Sequence, residues 1–329
     1  MARILVLGGT QFLGPPIVRQ LLGAGHEVVL FHRGEHEHPD AVGAEHIHGD
    51  FAEFSACVPQ LTQTSPEVVI DVVPYRDKAG HGVQHFRGVA KRAVVVTSGD
   101  VYRAFAILHG TEPADPPQPM PLTEESETRA GPSPDRTPEI DYDNVEVEQA
   151  LARDPALPVT VLRLPVIYGP HDPQRRLALY VRRMDDGRPA IVLDERLARF
   201  RWSRGYVGNV AAAVALAATD ERARGRTYNV AERHAPPWED WLRDIADVCG
   251  WKGEIIARPA EELPEFLRFP VPPGQDFYLS SERLREELGY TEPIDPTEGL
   301  RRAIEWERKQ QRNEPAPDYS EEDAVLASV

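Results

Sequence analysis

The stretch Gly8-Gly9-Thr10-Gln11-Phe12-Leu13-Gly14 has the composition of a phosphate cradle. Glycine supplies the positive φ of a tight turn, and its missing side chain lets backbone approach a pyrophosphate. The turn carries that meaning only between a strand and a helix, where the helix N-terminus adds unpaired N–H groups and a partial positive charge. Both neighbours are present: residues 3–7 (RILVL) form a continuous apolar run, and residues 13–22 have helical spacing. Gly8, Thr10, Gln11, Phe12, Leu13 and Gly14 are therefore expected to contact a dinucleotide. Gln11 stands in the middle slot of a G-x-x-G-x-x-G pattern. At the end of the next strand, an acid would pair with a ribose 2′-hydroxyl and a base would accommodate a 2′-phosphate. His32 and Arg33 fill that place, which favours NADP(H) as cofactor and leaves NAD(H) open.

Strands and helices must alternate to hold such a turn. Strands are expected at 27–32, 45–48, 67–73, 93–97 and 159–164, the runs at 67–73 and 93–97 being rich in β-branched residues, with helical stretches between several of them. Continuous apolar strands alternating with helices predict a parallel, doubly wound α/β sheet. Further helices are expected near 142–153, 174–186, 210–219, 238–249 and 297–308. Residues 111–139 break the rhythm with eight prolines, which forbid a regular helix or central strand. A long irregular loop over the active-site crevice is expected there. The boundaries read as a dinucleotide-binding domain at 1–165, a mixed substrate-binding part at 166–312 with segments returning to the first domain, and an acidic mobile tail at 313–329.

The chain has 329 residues and a net charge of −16, five of whose acids lie in that tail without a compensating Lys or Arg. An acidic chain repels phosphate backbones, so nucleic-acid binding is disfavoured and a small-molecule partner expected. No run of 18 apolar residues occurs and the N-terminus enters a strand directly, which predicts a cytoplasmic protein without a membrane partner. Cys57 and Cys249 lack any paired spacing and read as reduced, buried thiols.

The motifs GGTQFLG at 8–14, HGD at 48–50, TSGDVY at 97–102, RLPVIYGP at 163–170, RGYVGNVA at 204–211 and YNVAE at 228–232 stand in a telling order. So does ERLREELGY followed by EGLRRAIEW within 282–306. Each is loose alone, but the series resembles the extended, atypical short-chain dehydrogenase/reductase superfamily, in its NAD-dependent epimerase/dehydratase group. The resemblance spans nearly the whole chain. It implies a Rossmann-type doubly wound parallel sheet with a smaller C-terminal α/β substrate-binding part. It also implies that Asp50 and Phe51 lie near the adenine, that Val73 joins the cofactor-binding set, and that Pro165 and Val166 lie near the nicotinamide. A homodimer through two helices of the first domain, one near 142–153, is implied as well.

The chemistry implied by the resemblance is hydride transfer at a hydroxyl-bearing carbon of a sugar-like or nucleotide-sugar metabolite. It needs a tyrosinate as base, a lysine four residues later to lower its pKa, and a Ser or Thr to orient the substrate oxygen. Free tyrosine titrates near about 10, so a nearby cation is essential at neutral pH. Ser98 matches the serine slot. The Tyr-Lys pair does not match: four residues after Tyr142 stands Glu146, and a register anchored on Val147-Glu148-Gln149 puts Asn144 in the lysine slot and Ile140 in the tyrosine slot. Glu146 beside Tyr142 would raise the tyrosine pKa, opposite to what the reaction requires. Three readings stay open. Tyr142 acts with a cation such as Arg103 or Arg163; another group among Asp100, Tyr102, Tyr168 and His171 acts instead; or redox chemistry is lost and the protein only binds a nucleotide.

Ser98, Tyr142 and Asp100 are thus the catalytic candidates, and Tyr102, Tyr168, His171 and Arg204 the substrate candidates. Arg204 sits where the resembled family places an arginine on a substrate phosphate or carboxylate, and Arg175 and Arg176 are expected to border the same pocket or to form surface pairs. Five histidines lie between positions 32 and 48, but adjacent side chains diverge, so no metal site is expected. Trp238, Trp241 and Trp251 read as core.

Overall fold

The computed structural model describes residues 1–72, 81–137, 143–152, 156–269, 272 and 274–327. Strand β1 (Arg3–Leu7), helix α1 (Gly14–Gly23), β2 (Glu27–His32), β3 (Glu45–His48), α2 (Phe54–Gln63) and β4 (Val68–Asp71) open the chain. The short α3 (His81–Gln84), β5 (Arg92–Ser98), α4 (Arg103–Leu108), α5 (Asn144–Ala152) and β6 (Val159–Leu164) follow. With β10 (Thr227–Asn229) these strands form one seven-stranded sheet in the order β3-β2-β1-β4-β5-β6-β10, parallel throughout. The order reverses between β1 and β4, so the carboxyl ends of these strands border the crevice where doubly wound sheets bind ligands.

Successive residues of a strand face opposite sides, and both sides here are covered. Ile4 and Val6 of β1 join one core with Ile17, Val18 and Leu21 of α1 and with Val210, Val214 and Ala217 of α8 (Val207–Thr219). Leu5 and Leu7 join a second core with Leu61 of α2 and Val147 and Leu151 of α5. Sequestering a Val or Leu side chain on this scale contributes about 1.5–3 kcal/mol, which explains why the strands lack polar alternation. Glycine allows a close contact here: a Cβ on Gly14 would fall 2.5 Å from the Gly9 backbone, so α1 closes directly onto the β1 turn.

The smaller part holds β7 (Val166–Tyr168) paired with β9 (Arg204–Tyr206), and β8 (Ala190–Asp194) paired with β11 (Glu254–Arg258). Around these pack α6 (Ala178–Asp185), α7 (Glu195–Arg199), α9 (Trp238–Cys249) and α11 (Pro296–Gln311), while α10 (Glu282–Leu288) packs against β10 of the central sheet. In α9, Trp241, Leu242 and Ile245 are buried while Asp240 and Arg243 form an exposed pair, the amphipathic pattern of a surface helix. The proline-rich segment is pinned between the two parts: the Leu122 N–H donates to the Tyr278 carbonyl at 2.8 Å and the Arg129 N–H to that of Val101 at 2.9 Å.

The expected mobile tail is corrected. Residues Ser320–Ala327 form a helix, α12, docked on α6 and the turn after it. Glu322 is buried in a pair with Arg183, Asp323 pairs with Arg188, and the Tyr319 hydroxyl donates to Asp186 at 2.8 Å. Arg188 also lies 4.5 Å over the Tyr319 ring. Three of the five acids that made this tail look solvated, Glu314, Glu322 and Asp323, pair with arginines.

Candidate active site and cofactor cleft

A cleft of about 420 Å³ runs along the carboxyl ends of the central strands. Gly8, Thr10, Gln11, Phe12 and Leu13 line it, as do Arg33 and Phe51 at one end and Thr97, Ser98 and Pro165 at the other. The turn has the geometry its glycines suggest. Gly8 has φ 84°, the Gly14 N–H donates to the Gln11 carbonyl at 2.9 Å, and Phe12 also adopts positive φ, 41°. Pro15 and Pro16 follow at the start of α1, so two positions that usually offer N–H groups to a phosphate have none. The donors left for a pyrophosphate are those of the turn. A second cavity of about 530 Å³ lies on the other side of Phe12 and takes in Arg19, His38, His171 and Tyr206.

The other expected cofactor contacts divide. Phe51 and Pro165 line the cleft; Val166 pairs in register with Arg204; Asp50 caps a short turn by accepting the Ala52 N–H at 2.9 Å. His32 is corrected from a contact to a support: it is 3% exposed, and its ring faces His46 rather than the cleft. Val73 and Tyr142 lie outside the described residues. The sequence reading missed Val72, Leu164, Ile167, Pro173 and Arg176 as cleft residues. Val72 and Leu164 stand at the carboxyl ends of the runs 67–73 and 159–164, a position that could have marked them, whereas Ile167 lies in β7, where the sequence reading expects no strand. Arg176, held to Asp172 at 2.6 Å, was named only as a bordering residue.

At the Ser98 end the polar residues are tightly interlocked. The Ser98 hydroxyl accepts the Asp100 N–H at 3.3 Å. Asn144, in the expected lysine slot, donates its side-chain amide to Asp100 Oδ1 at 2.7 Å. Burial raises the Asp100 carboxyl to about 7, against the opposing pull of Asn144 and Arg129. Arg129 makes a bidentate pair with the buried Asp143 at 2.7 and 2.6 Å, and its Nε donates to the Asp100 carbonyl at 2.9 Å. That pair holds Asp143 below the usual carboxylate range even though burial works the other way.

Behind this layer Tyr102 is fully buried. Its hydroxyl donates to Asn229 Oδ1 at 2.6 Å and accepts from Arg163 Nη1 at 3.0 Å. Burial pushes the phenol up to about 12. Tyr102 is therefore corrected from a substrate contact to a core residue. Arg163 is fixed to Glu148 at 2.6 Å, and Arg103 donates to the carbonyls of Pro113 and Pro116 at 2.8 and 3.1 Å. Both guanidiniums proposed as stand-ins for a lysine are engaged elsewhere.

Tyr168 is buried with its hydroxyl on Glu232 at 3.0 Å, and burial raises that phenol well above its ordinary range. It borders a separate cavity of about 600 Å³ with Trp241, Asp244 and Arg285. Arg204 is also corrected: it is 3% exposed and stacks 4.2 Å over Trp241 and 5.0 Å over Trp238. Its Nε and Nη2 find no partner among the described residues, and burial lowers the guanidinium to about 10. His171 packs against His38 and Trp306 in the second cavity. Arg175 bridges Glu307 and Glu314 instead of facing a ligand.

The fold and cleft have known counterparts. Residues 4–231 match the model of the NAD dependent epimerase/dehydratase family. The chain belongs to that family. Among characterised relatives, 2′-dehydrokanamycin reductase of Streptomyces kanamyceticus is 28% identical over 274 residues, covering 80% of this chain and 72% of that protein. The chloroplast stem-loop binding protein of 41 kDa b of Arabidopsis thaliana is 22% identical, covering 99% of this chain and 84% of that protein. A solved structure of Thermus thermophilus UDP-glucose 4-epimerase in complex with NAD superposes with a TM-score of 0.65 at 20% identity, covering 93% of this chain and 99% of that one. The central parallel sheet is that of the family, and Asn144, in the lysine slot expected from the sequence, is tied to Asp100. No helix among the described residues is long and apolar enough to cross a membrane.

Proposed function

We propose that this family member binds NADP(H) in the cleft and reduces a ketone on a sugar-like ring, or runs the reverse oxidation. One observation carries the reading: Arg33, the glycine-rich turn and Ser98 line a single cavity, in the order that a 2′-phosphate, a pyrophosphate and a reacting carbonyl require. The close approach of Gly14 to Gly9 is the packing such a turn needs around a dinucleotide. The likeness to a reductase of an aminoglycoside ketone supports the direction and the substrate class. NAD bound to the superposed epimerase supports the ligand class, and Arg33 favours the phosphorylated form.

When bound, the reduced cofactor supplies a hydride. The chain itself must then orient the carbonyl and deliver one proton to its oxygen. We assign orientation to Ser98 and the proton to Asp100, whose carboxyl burial raises to about 7, toward the range suited to giving up a proton at neutral pH. Tyr142 remains the alternative donor. His171 and Arg176 border the space a substrate would enter. The expected homodimer is part of this proposal and is checked by light scattering.

Fluorescence titration with NADPH tests the binding step, and NADPH oxidation on a panel of sugar and aminoglycoside ketones tests the chemistry. Absence of NADPH and NADH binding would contradict the reading. A second reading is favoured by the stem-loop binding relative and by the absence of a lysine at Asn144: a nucleotide-binding regulatory protein, or an RNA binder, without turnover. The net charge of −16 opposes RNA. Stoichiometric cofactor binding with no oxidation on the panel, or a salt-sensitive shift of stem-loop RNA, would favour it.

A further inference from the structure

Strands β2 and β3 end side by side, and their register pairs His32 with His48 and Leu30 with His46. Side chains two residues apart share a face, so His46 and His48 come to lie on the side of His32. Nitrogens of the three rings lie within 4.8 Å of one another. Their hydrogen bonds run in one direction. The Gly34 N–H donates to His32 Nδ1 at 3.1 Å, which requires that nitrogen to be bare. The proton of His32 is then on Nε2, which donates to His46 Nδ1 at 2.8 Å. His46 in turn places its Nε2 proton toward the Ala41 carbonyl at 3.2 Å. A cation on His32 Nε2 would move the proton to Nδ1, donor against the Gly34 donor, so the cluster reads as a hydrogen-bond chain and not as a ligand set.

What this chain holds is the loop that carries Arg33. Gly34 adopts φ 80°, and a Cβ there would lie 3.2 Å from the His48 ring, so the loop rests on that imidazole. Arg33 itself faces the cleft, paired with Glu35 at 2.9 Å. We propose that His32, backed by His46, is a positioning residue that sets the Arg33 loop for the 2′-phosphate of NADP(H). This rests on the cofactor reading proposed above. Protonated His32 carries a proton on Nδ1 and loses the Gly34 bond, so the phosphate grip weakens in acid. Burial, then His46 and His48, lower the His32 pKa, with Glu37 opposing. Arg33, Glu35, His36 and His38 follow His32 in sequence on the loop, and Glu45 stands beside His46 in the β3 sequence. The neutral, loop-holding form thus prevails at pH 7 and is lost only below the ordinary histidine range near about 6.5.

The test measures Kd for NADPH and NADH on the full chain at about pH 8 and about pH 5.5, for wild type, His32→Leu and His32→Asn. Asparagine offers an oxygen to the Gly34 N–H and does not titrate. The 2′-phosphate titrates near about 6 in every variant, so the contrast between wild type and His32→Asn isolates the ring. Wild type should lose about tenfold of its NADPH-over-NADH preference in acid beyond what His32→Asn loses, and His32→Leu should lack it at both pH values, a shift of about 1.4 kcal/mol. Equal preference in wild type and His32→Leu, or identical pH profiles in wild type and His32→Asn, would overturn the proposal. Hydrogen exchange of amides 33–37 at about pH 7 is read on the same proteins without cofactor. Faster exchange in His32→Leu with rescue in His32→Asn supports the positioning role, and unchanged exchange in both overturns it. Should His32→Leu not fold, the wild-type and His32→Asn profiles decide alone. Failure of every protein to bind either dinucleotide would refute the cofactor reading, while the exchange data would still decide whether His32 holds the loop.

Discussion

At the glycine-rich end of the cleft the wall is the turn of Gly8, Thr10, Gln11, Phe12 and Leu13, held against α1 by the direct contact of Gly14 with the Gly9 backbone. At the Ser98 end the wall is backed by two buried ion pairs, Arg129 with Asp143 and Arg163 with Glu148, and by the amide of Asn144 on Asp100. The first end is shaped to receive something the chain lacks. At the second end the described charged groups pair with one another, Arg129 with Asp143 and Arg163 with Glu148. Under the proposed function the proton falls to Asp100, whose carboxyl burial raises to about 7.

The contrast is broken most strongly at the ion pairs. Arg129→Met leaves Asp143, 2% exposed, without its partner and should cost about 3–5 kcal/mol in urea unfolding. A loss under 1 kcal/mol would show that the layer is not a locked network. Gly14→Ala forces a Cβ into the Gly9 backbone and should cost about 1–3 kcal/mol while abolishing NADPH fluorescence enhancement. Unchanged binding in that variant would mean the turn is not the cradle. Removing residues 313–329 exposes Arg183 and should cost about 1–2 kcal/mol through lost charge-assisted hydrogen bonds, read as a lower melting temperature. An unchanged melting temperature would return the tail to a solvated role.

The smallest effect sharpens the comparison at Asp100. Its folded pKa of about 7 lies above the ordinary carboxylate value, so the folded state binds more protons than the unfolded one between those values. Its contribution to stability is fully present in acid below about pH 4 and is lost as pH rises through about 7. Asp100→Asn should flatten that fall in the urea midpoint between about pH 4.5 and pH 7.5. Equal slopes in wild type and variant would remove the raised carboxyl from the account.

Much of the fold was legible because backbone demands write themselves into sequence. The strands at 3–7, 27–32, 45–48 and 159–164 and the helix at 238–249 lie where the runs of apolar and periodic residues place them. The glycine turn was legible for the same reason, since positive φ and close packing admit few residues. The Ser98 end was not. Tyr102 and Arg204 have the types of ligand-binding residues, but whether a phenol or guanidinium faces a cleft or a core partner depends on Asn229, Trp238 and Trp241, which lie 127, 34 and 37 positions away. The tail misled through composition: its acids dock on arginines of α6 and beyond, pairings that no local window contains.

The most direct test of the central claim is titration of the purified protein with NADPH and with NADH, following reduced-nicotinamide fluorescence, beside Arg33→Ala. The account predicts saturable binding of both, tighter for NADPH, with that preference lost in Arg33→Ala by about tenfold or more, the share expected of one guanidinium–phosphate contact. No saturable binding of either dinucleotide would contradict it.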